Sequence, residues 1–359
     1  MVLKKIIFLL CVPFALVYFL CVALRNFLYS VNVFRRHRIN AKVISVGNIT
    51  WGGTGKTPVV AFIADMLAKK GRRVSILIRG YGNDEKELLP KLTSNVPVLV
   101  GKDRVKSGRD AIECHLSDTI IMDDGFQYRR LERDLDIVCV DASRPFGNGW
   151  VIPAGSLREG RGSLKRADIF LITKADLAPN KEKIEKLEKR LKKINPDAMI
   201  AKAIHRPLYF YRLLTCPTSQ VAVGNLRSWT EVAEEKVNIG ELQNKEIVLV
   251  SAIGSPECFE KTIQRLGLKI NKHFIFRDHH AYTKEDVSRI EDYCRKNSLI
   301  TAVTTEKDAV KLKSFQLPAP YPCGTGSAFS FQLLVLKVRL EIIENEDGFS
   351  DRLFGVCNS

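Results

Sequence analysis

The longest hydrophobic run of the chain lies at its amino terminus, where residues 6–24 carry no charged side chain. A run of this length is long enough to span a bilayer or to lie in its surface. Basic residues stand on both sides of it, at Lys4, Lys5, Arg25, Arg35, Arg36 and Arg38. This charge on both flanks leaves the orientation open. Because no small-x-small cleavage site follows, we predict a retained membrane anchor in residues 1–34 rather than a cleaved signal peptide.

Beyond residue 40, short runs of β-branched and apolar residues alternate with segments of helical or loop character. These runs lie at residues 43–46, 73–79, 96–100, 119–123, 136–141 and 168–173. The apolar residues after the first run recur with helical spacing, at Val59, Val60, Ile63, Ala64 and Leu67. Strands that alternate with helices are typical of a parallel, doubly wound sheet, so we predict an α/β fold.

The pattern changes near residue 202, where alternating apolar and polar residues predict a strand that leads into a second lobe. Further strand and helix units follow, including a helix that begins at Pro256 and another that Thr283 caps. We therefore predict four parts: the anchor, a larger α/β domain over residues 35–205, a smaller α/β lobe over residues 206–342, and a flexible acidic tail over residues 343–359.

A glycine-rich turn separates the first predicted strand from the first predicted helix, and it reads Gly52-Gly53-Thr54-Gly55-Lys56-Thr57. A strand, a glycine loop and a helix N-terminus together form the usual cradle for nucleoside triphosphates. We expect the loop to hold the phosphates, Lys56 to reach the β and γ oxygens, and Thr57 to ligate Mg²⁺. Thr50 stands where the usual P-loop spacing has its first glycine, although neighbouring glycines still supply flexibility. The sheet is therefore predicted to be of the P-loop NTPase type.

Two adjacent carboxylates, Asp123 and Asp124, end the hydrophobic run that begins at residue 119. A buried strand that ends in an aspartate is the usual partner of a P-loop. Two neighbouring carboxylates also repel one another unless a cation lies beside them. Both residues are therefore predicted to lie close to Mg²⁺.

Three further segments leave alternatives open. Residues 173–176 read TKAD, close to the segment with which GTPases recognise guanine, which keeps a membrane-associated GTPase as an alternative. Asp84 lies in an acidic turn, and the DHH sequence at residues 278–280 has no further His or Cys at ligand spacing. Asp84 and a histidine of the DHH segment are either solvated polar groups or members of a proton-transfer pair. The Gly- and Pro-rich residues 145–160 are predicted to form an ordered loop that faces a ligand.

The net positive charge of the chain indicates which classes of partner it can bind. The 359 residues carry a formal net charge of +16, which favours an anionic partner such as a membrane surface, a phosphorylated substrate or nucleic acid. A nucleic-acid-binding ATPase is disfavoured, because no aromatic and basic recognition motif is present. The nine cysteines form no C-x-x-C pair, so neither a zinc site nor a disulfide framework is predicted.

Six motifs in order resemble those of the tetraacyldisaccharide 4′-kinases of lipid A biosynthesis, and they extend from about residue 40 to residue 312. They are SVGNITWGGTGKTPVV, SILIRGYG, TIIMDDGFQYRRL, PFGNGWVIPAGSLRE, FRDHHAYT and TTEKDAVKL. The resemblance implies transfer of the ATP γ-phosphoryl group to the 4′-hydroxyl of an acylated glucosamine disaccharide 1-phosphate. It also implies Mg²⁺ dependence and a location at the cytoplasmic face of the inner membrane, with this lipid A precursor and the membrane surface as partners.

The resemblance also assigns roles to individual positions. Lys56 and Thr57 match the P-loop lysine and the metal-binding hydroxyl, while Asp123 and Asp124 match the paired acids near the metal. The remaining matches are Asp84 as base and substrate contact, His279 as its partner, Arg104 as a substrate contact and Glu159 as a further metal ligand. Two positions depart from the family: residues 83–86 read NDEK in place of G-D-E-P, and Tyr128 replaces a common histidine.

Overall fold

The computed structural model describes residues 2–80, 83–93, 96–213, 235–313, 315 and 332–358, without the side chains of residues 2–5 and 83–85. The chain forms two compact units. The first comprises Met1–His205 with Leu340–Ser359, and the second comprises Arg206–Arg339. The chain leaves the first unit after His205 and returns to it at Leu340, and this return was not predicted.

The first unit is built on a parallel sheet whose strand order is β3-β2-β4-β1-β5-β6-β7. Its strands are β1 (Lys42–Gly47), β2 (Val74–Ile78), β3 (Val98–Val100), β4 (Thr119–Asp123), β5 (Leu135–Asp141), β6 (Ile169–Thr173) and β7 (Met199–Arg212), the last of which continues into the second unit. Strands β1, β2 and β4 are buried almost throughout. The parallel order and the continuous burial confirm the predicted α/β fold.

Helix α1 (Val2–Ser30) lies before the first strand of this unit. Each of the next four helices follows a strand: α2 (Lys56–Lys69), α3 (Asn83–Leu92), α4 (Arg104–His115) and α5 (Lys181–Ile194). Helix α2 buries Val59, Ile63 and Leu67, each with no exposed surface, in the core that covers β1. Because these residues recur every three or four positions, one apolar stripe holds the helix that carries Lys56 at its first turn.

The second unit contains parallel strands in the order β10-β9-β11-β12. Its elements are β8 (Lys236–Val237), β9 (Glu246–Ser251), α6 (Pro256–Arg265), β10 (Lys269–Ile275), α7 (Lys284–Lys296), β11 (Thr301–Thr305), α8 (Glu306–Leu312) and β12 (Gln332–Glu344). As predicted, Pro256 opens α6, and Thr283 caps α7 in a capping box with Asp286.

The carboxy-terminal residues differ from the expected flexible tail. They form a ninth helix, α9 (Glu346–Asn358), whose Phe349, Leu353 and Cys357 are buried in the core of the first unit. Spacing of four residues places these side chains on one face, and the acidic first turn suits the helix dipole. The acidic composition of this stretch therefore marks a helix N-terminus, and the prediction of a frayed tail is wrong.

Candidate active site

The glycine loop between β1 and α2 leaves the first amides of the helix without a capping side chain. Gly55 occupies the N-cap position with φ 79° and ψ 25°, and it provides no side-chain hydrogen bond. A Cβ at this position would lie 2.9 Å from the Cε1 atom of His205, so both the backbone conformation and the space require glycine. Gly52 also has a positive φ, of 119°. The resulting helix N-terminus can offer backbone N–H groups to an anion.

The first half of the glycine loop is held by the Gly- and Pro-rich segment that precedes β6. The Trp51 amide donates to the Ser156 carbonyl at 2.6 Å, and the Arg158 amide donates to the Ile49 carbonyl at 2.7 Å. Within the loop, Asn48 Nδ2 donates to the Thr54 hydroxyl at 2.8 Å. This segment is therefore ordered, as predicted, and it lies directly against the phosphate cradle.

The second half of the loop is held by the TKAD segment. The Thr173 hydroxyl donates to the Thr54 carbonyl at 2.8 Å, and Lys174 Nζ donates to the Gly53 carbonyl at 2.8 Å. Lys174 also pairs with Asp141 at 2.6 Å, and both side chains are buried. In this fold the threonine and the lysine of TKAD therefore brace the phosphate loop, which accounts for both residues without any guanine recognition.

A half-buried histidine that the sequence reasoning missed, His205, lies against the same loop. The Nε2 atom of His205 has no hydrogen-bond partner among the described residues. Burial of the ring, together with the nearby Lys174 charge, lowers the pKa of His205 to about 4. The ring is therefore neutral at physiological pH and adds no charge to the phosphate site.

The brace can be tested by the conservative substitution Thr173→Val. It removes one hydrogen bond to the loop and keeps the shape of the side chain. A net hydrogen bond contributes about 1 kcal/mol, so the KM for ATP should rise roughly fivefold in steady-state assays. The matched control is Thr304→Val, since Thr304 Oγ1 donates to the Val250 carbonyl at 2.9 Å in the second unit. Equal KM values for both variants, or a gain of GTP use by Thr173→Val, would contradict the brace.

The paired acids have two different environments. Asp123 is 3 % exposed, and neither of its carboxylate oxygens accepts a hydrogen bond of normal geometry from a described residue. Asp124 is more exposed, and its φ of 53° turns the backbone into the left-handed region. Its carboxylate lies 3.3 Å from Lys56 Nζ and 2.6 Å from Arg158 Nη1. The chain therefore places one unsatisfied and one doubly paired carboxylate beside the P-loop lysine.

The two carboxylates have opposite pKa shifts. Burial raises the pKa of Asp123 above its ordinary range, although the Lys56 charge opposes this shift. Burial also acts on Asp124, but the positive charges of Lys56 and Arg158 outweigh it and lower the pKa to about 2. Asp124 is thus a stable anion, whereas the ionised form of Asp123 is favoured by a nearby cation.

This donor set fits Mg²⁺. Among the described residues, no cluster of three or more His, Cys, Asp or Glu side chains could hold a metal ion. Mg²⁺ does not need one, because it commonly takes one or two carboxylates together with water and substrate phosphates. The unsatisfied oxygens of Asp123 and the hydroxyl of Thr57, the second residue of α2, are suitable ligands.

Arg104 combines complete burial with incomplete hydrogen bonding. It opens α4 and is 2 % exposed, and its Nε and Nη1 atoms have no partner among the described residues. Burial lowers the pKa of Arg104, while the charges of Asp123 and Asp124 oppose that shift, so the guanidinium lies within the field of the acidic pair. A buried guanidinium whose N–H groups lack acceptors favours an anionic ligand. This agrees with the predicted role of Arg104 as a substrate contact.

Tyr128, which departs from the family pattern, supports Arg104. Its ring lies 5.7 Å from the Arg104 guanidinium carbon, and its hydroxyl accepts from the Arg104 amide at 3.1 Å. The same hydroxyl donates to Asp103, the residue that caps α4, at 3.3 Å. Tyrosine at this position therefore anchors the start of α4.

Glu159 lies in a network of basic residues. It is 1 % exposed, and its two oxygens accept from Arg25 at 2.8 Å, from Asn26 at 3.1 Å and from Arg166 at 2.9 Å. Because both oxygens accept hydrogen bonds, Glu159 could bind a metal only after losing at least one of these contacts. The metal role of Glu159 stays a prediction.

Several arginines near this network have contacts that the sequence reasoning missed. Arg129 is buried, and Arg133 is half-buried and pairs with Asp136 at 2.9 Å. Arg158 was noted only as part of a loop, yet it holds Asp124 through one nitrogen at 2.6 and 2.8 Å. Runs of arginine in a sequence do not reveal which of them meets a buried acid.

The predicted pair Asp84 and His279 is only half described. Asp84 lies in α3 with its side chain outside the described residues, and it belongs to the first unit, whereas His279 belongs to the second. His279 has φ 62°, and its Nε2 lies 3.3 Å from Lys307 Nζ. The adjacent His280 is bound to Asp286 at 2.7 Å, which leaves His279 as the candidate of the two. The pairing of Asp84 with His279 stays a prediction.

Comparisons with known proteins agree on one family. A family model described as tetraacyldisaccharide-1-P 4′-kinase (LpxK) matches residues 7–92 and 83–358. The chain is similar to the tetraacyldisaccharide 4′-kinases of Halothermothrix orenii, with 34% identity over 82% of this chain and 80% of the relative, and of Bdellovibrio bacteriovorus, with 36% identity over 84% and 88%. A solved structure of LpxK from Aquifex aeolicus in complex with ATP is similar with a TM-score of 0.68 and 25% identity, over 96% of this chain and 98% of that one.

Proposed function

Because the chain belongs to the tetraacyldisaccharide 4′-kinase family, we propose that the glycine loop, Lys56 and the Asp123–Asp124 pair form the centre of its kinase site. The enzyme transfers the γ-phosphoryl group of ATP to the 4′-hydroxyl of the acylated glucosamine disaccharide 1-phosphate that is the precursor of lipid A, and it uses Mg²⁺. The observation that carries the site assignment is the unsatisfied Asp123 carboxylate beside the lysine at the start of α2.

Phosphoryl transfer of this kind depends on positioning and on charge neutralisation, with little covalent chemistry for the protein. The amides of residues 52–57 and the Lys56 ammonium stabilise the negative charge on the β and γ oxygens. Lys56 Nζ lies 3.3 Å from the Asp124 carboxylate, which Arg158 also binds, so bound phosphates would compete with this carboxylate for the lysine. Thr57 and Asp123 would hold Mg²⁺, which would supply further neutralisation of charge on the phosphates.

The attacking 4′-hydroxyl must lose its proton, and a carboxylate is a suitable acceptor. We assign this step to Asp84, with His279 orienting it. Arg104 would contact the anionic part of the acceptor or of the transferred phosphoryl group. Glu159, predicted as a metal ligand, would have to release the arginines that hold it before it could take that role.

The membrane is the proposed location of the acceptor. Residues 6–30 form one helix that is long and apolar enough to cross a membrane. One face of α1 packs on the first unit, through the Phe8 ring at 5.6 Å from the Trp150 ring and through the fully buried Ala15. The opposite face exposes large hydrophobic side chains at Ile6, Leu9, Leu10, Phe14, Val17, Leu20, Leu24 and Phe27.

A helix whose inner face is covered by protein cannot be surrounded by lipid. We infer that α1 lies in the interface with its outer face in the acyl region, at the cytoplasmic surface of the inner membrane, where ATP is present. The net charge of +16 favours anionic headgroups by about 1 kcal/mol for each basic residue near the surface.

The function is tested by mass spectrometry of an acylated disaccharide 1-phosphate after incubation with the detergent-solubilised enzyme, Mg²⁺ and either ATP or GTP. We expect a gain of one phosphoryl group with ATP. Asp84→Ala should lower kcat much more than it weakens ATP binding, because the proton acceptor acts only in the transition state. Unchanged turnover would remove Asp84 as the base. Hydrolysis of GTP without phosphoryl transfer to the acceptor would instead support a GTPase function.

A further inference from the structure

The inner face of α1 makes polar contacts that an anchor does not need. The Tyr18 hydroxyl donates to the Arg158 carbonyl at 2.9 Å. One turn before the end of the helix, Arg25 Nη2 and Asn26 Nδ2 donate to the two oxygens of Glu159 at 2.8 and 3.1 Å. These contacts bring three residues of α1 to the same two positions of the loop, 158 and 159.

The same two loop positions are connected to the phosphate site. The Arg158 amide donates to the Ile49 carbonyl in the glycine loop, and the Arg158 side chain holds Asp124. Asp124 in turn lies 3.3 Å from Lys56 Nζ. An unbroken series of contacts therefore runs from α1 through Arg158 to the P-loop lysine.

The packing at this point leaves little space for an alternative position of the loop. A Cβ at Gly160 would lie 2.6 Å from the Phe19 ring, so the loop backbone approaches α1 as closely as glycine permits. Glu159 is 1 % exposed, and a carboxylate buried to this degree needs its basic partners. Loss of Arg25 would leave Glu159 Oε1 without a hydrogen-bond donor among the described residues, because Asn26 and Arg166 both bind Oε2, and residues 158–160 would shift to relieve this.

We propose that the inner face of α1 is a positioning element of the kinase site, with Tyr18 and Arg25 as positioning residues that hold Arg158 and, through it, the Asp124–Lys56 pair. Helix α1 then has two functions on two faces: the outer face binds the membrane, and the inner face sets the catalytic rate. The proposal rests on the site assignment given above. A misplacement of about 1 Å at such a site can lower the rate by up to about 100-fold.

The test compares Arg25→Ala with Arg35→Ala in the full-length enzyme. Arg35 is an exposed basic residue just beyond α1, so its removal costs the same charge without a contact to Glu159. Two quantities are measured: kcat and KM in detergent mixed micelles with ATP, Mg²⁺ and the acceptor, and flotation with vesicles of phosphatidylethanolamine and phosphatidylglycerol. We expect Arg25→Ala to lower kcat at least tenfold with little change in the KM of the acceptor. Arg35→Ala should retain the wild-type kcat, and both variants should bind vesicles equally.

Three further variants separate positioning from folding. Arg25→Lys should restore part of the lost kcat, and Tyr18→Phe, which deletes one hydroxyl, should lower kcat about threefold at an unchanged unfolding temperature. Phe14→Ser on the outer face should lower vesicle binding at least tenfold, with a smaller effect on kcat than Arg25→Ala.

Equal kcat values for Arg25→Ala, Tyr18→Phe and Arg35→Ala would overturn the proposal while the wild-type enzyme still transferred phosphate. Absence of transfer by the wild-type enzyme would instead overturn the proposed function. The two failures are therefore distinguishable in one series of assays.

Discussion

Lys56→Ala is expected to lower kcat about 1000-fold while the enzyme remains folded. The ammonium group lies at the first turn of α2, 3.3 Å from Asp124, and its side chain is 14% exposed. A group that stabilises charge developing in the transition state contributes about 100- to 1000-fold in rate, and the P-loop lysine contacts the transferred phosphoryl group directly. The measurement is single-turnover transfer to the acceptor at saturating ATP, together with a thermal unfolding curve.

Lys202→Ala is the matched control for this experiment. Lys202 is equally buried, with 14% exposure, and it pairs with Glu188 at 2.5 Å and with Glu344 at 2.8 Å in the same unit. Its removal should lower the unfolding temperature and leave kcat close to the wild-type value. If Lys56→Ala kept most of its activity, or if both variants lost the same fraction, the phosphate-cradle assignment would be wrong.

Asp123→Asn is expected to abolish turnover and, at the same time, to raise the unfolding temperature of the ligand-free enzyme. Activity is lost because the neutral amide is a much weaker ligand of Mg²⁺ than the carboxylate, with an expected fall in kcat of about 1000-fold. Stability is gained because the carboxylate is buried without a hydrogen bond in the ligand-free protein.

The pH dependence of this stability gain follows from the sign of the pKa shift. Burial raises the pKa of Asp123 in the folded protein above its ordinary value of 3.8, so the folded state disfavours the ionised form. Its unfavourable contribution is absent below the ordinary pKa, develops as the pH rises from the ordinary pKa to the folded-state pKa, and is complete above the latter. The difference in unfolding temperature between Asp123→Asn and the wild type should therefore be large at pH 7.5 and small near pH 4.

Thermal unfolding with and without nucleotide completes this test. ATP with Mg²⁺ should raise the unfolding temperature of the wild type, and this gain should shrink in Asp123→Asn. Asp118→Asn is the control, because Asp118 lies just before β4 at the opposite end of the strand and is paired with Arg73. It should show normal activity and a nearly unchanged unfolding temperature. A ligand-free Asp123→Asn protein less stable than the wild type at pH 7.5 would show that the carboxylate has partners in the folded state.

The sequence by itself determined the elements whose signals are local. The strand before the glycine loop, the helix that begins at Lys56 and the acidic end of β4 were each predicted from spacing over fewer than about twenty residues, and the structure has them there. The periodicity of hydrophobic residues indicates which face of a helix or strand is buried. Motif order then identified the family, which the comparisons confirm.

The tertiary structure decided which charged groups meet. Arg25 binds Glu159 across 134 residues, and Lys174 binds the Gly53 carbonyl across 121 residues. Neither contact has a signal in periodicity, because any arginine or lysine can pair with any acid that folding brings close. The structure of the carboxy-terminal stretch also depends on remote contacts. Its acidic residues predicted exposure to solvent, but Phe349 and Leu353 pack into a core formed by residues far away in the sequence. Pairing of charges and closure of the core depend on contacts between remote segments, and only the folded chain specifies those contacts.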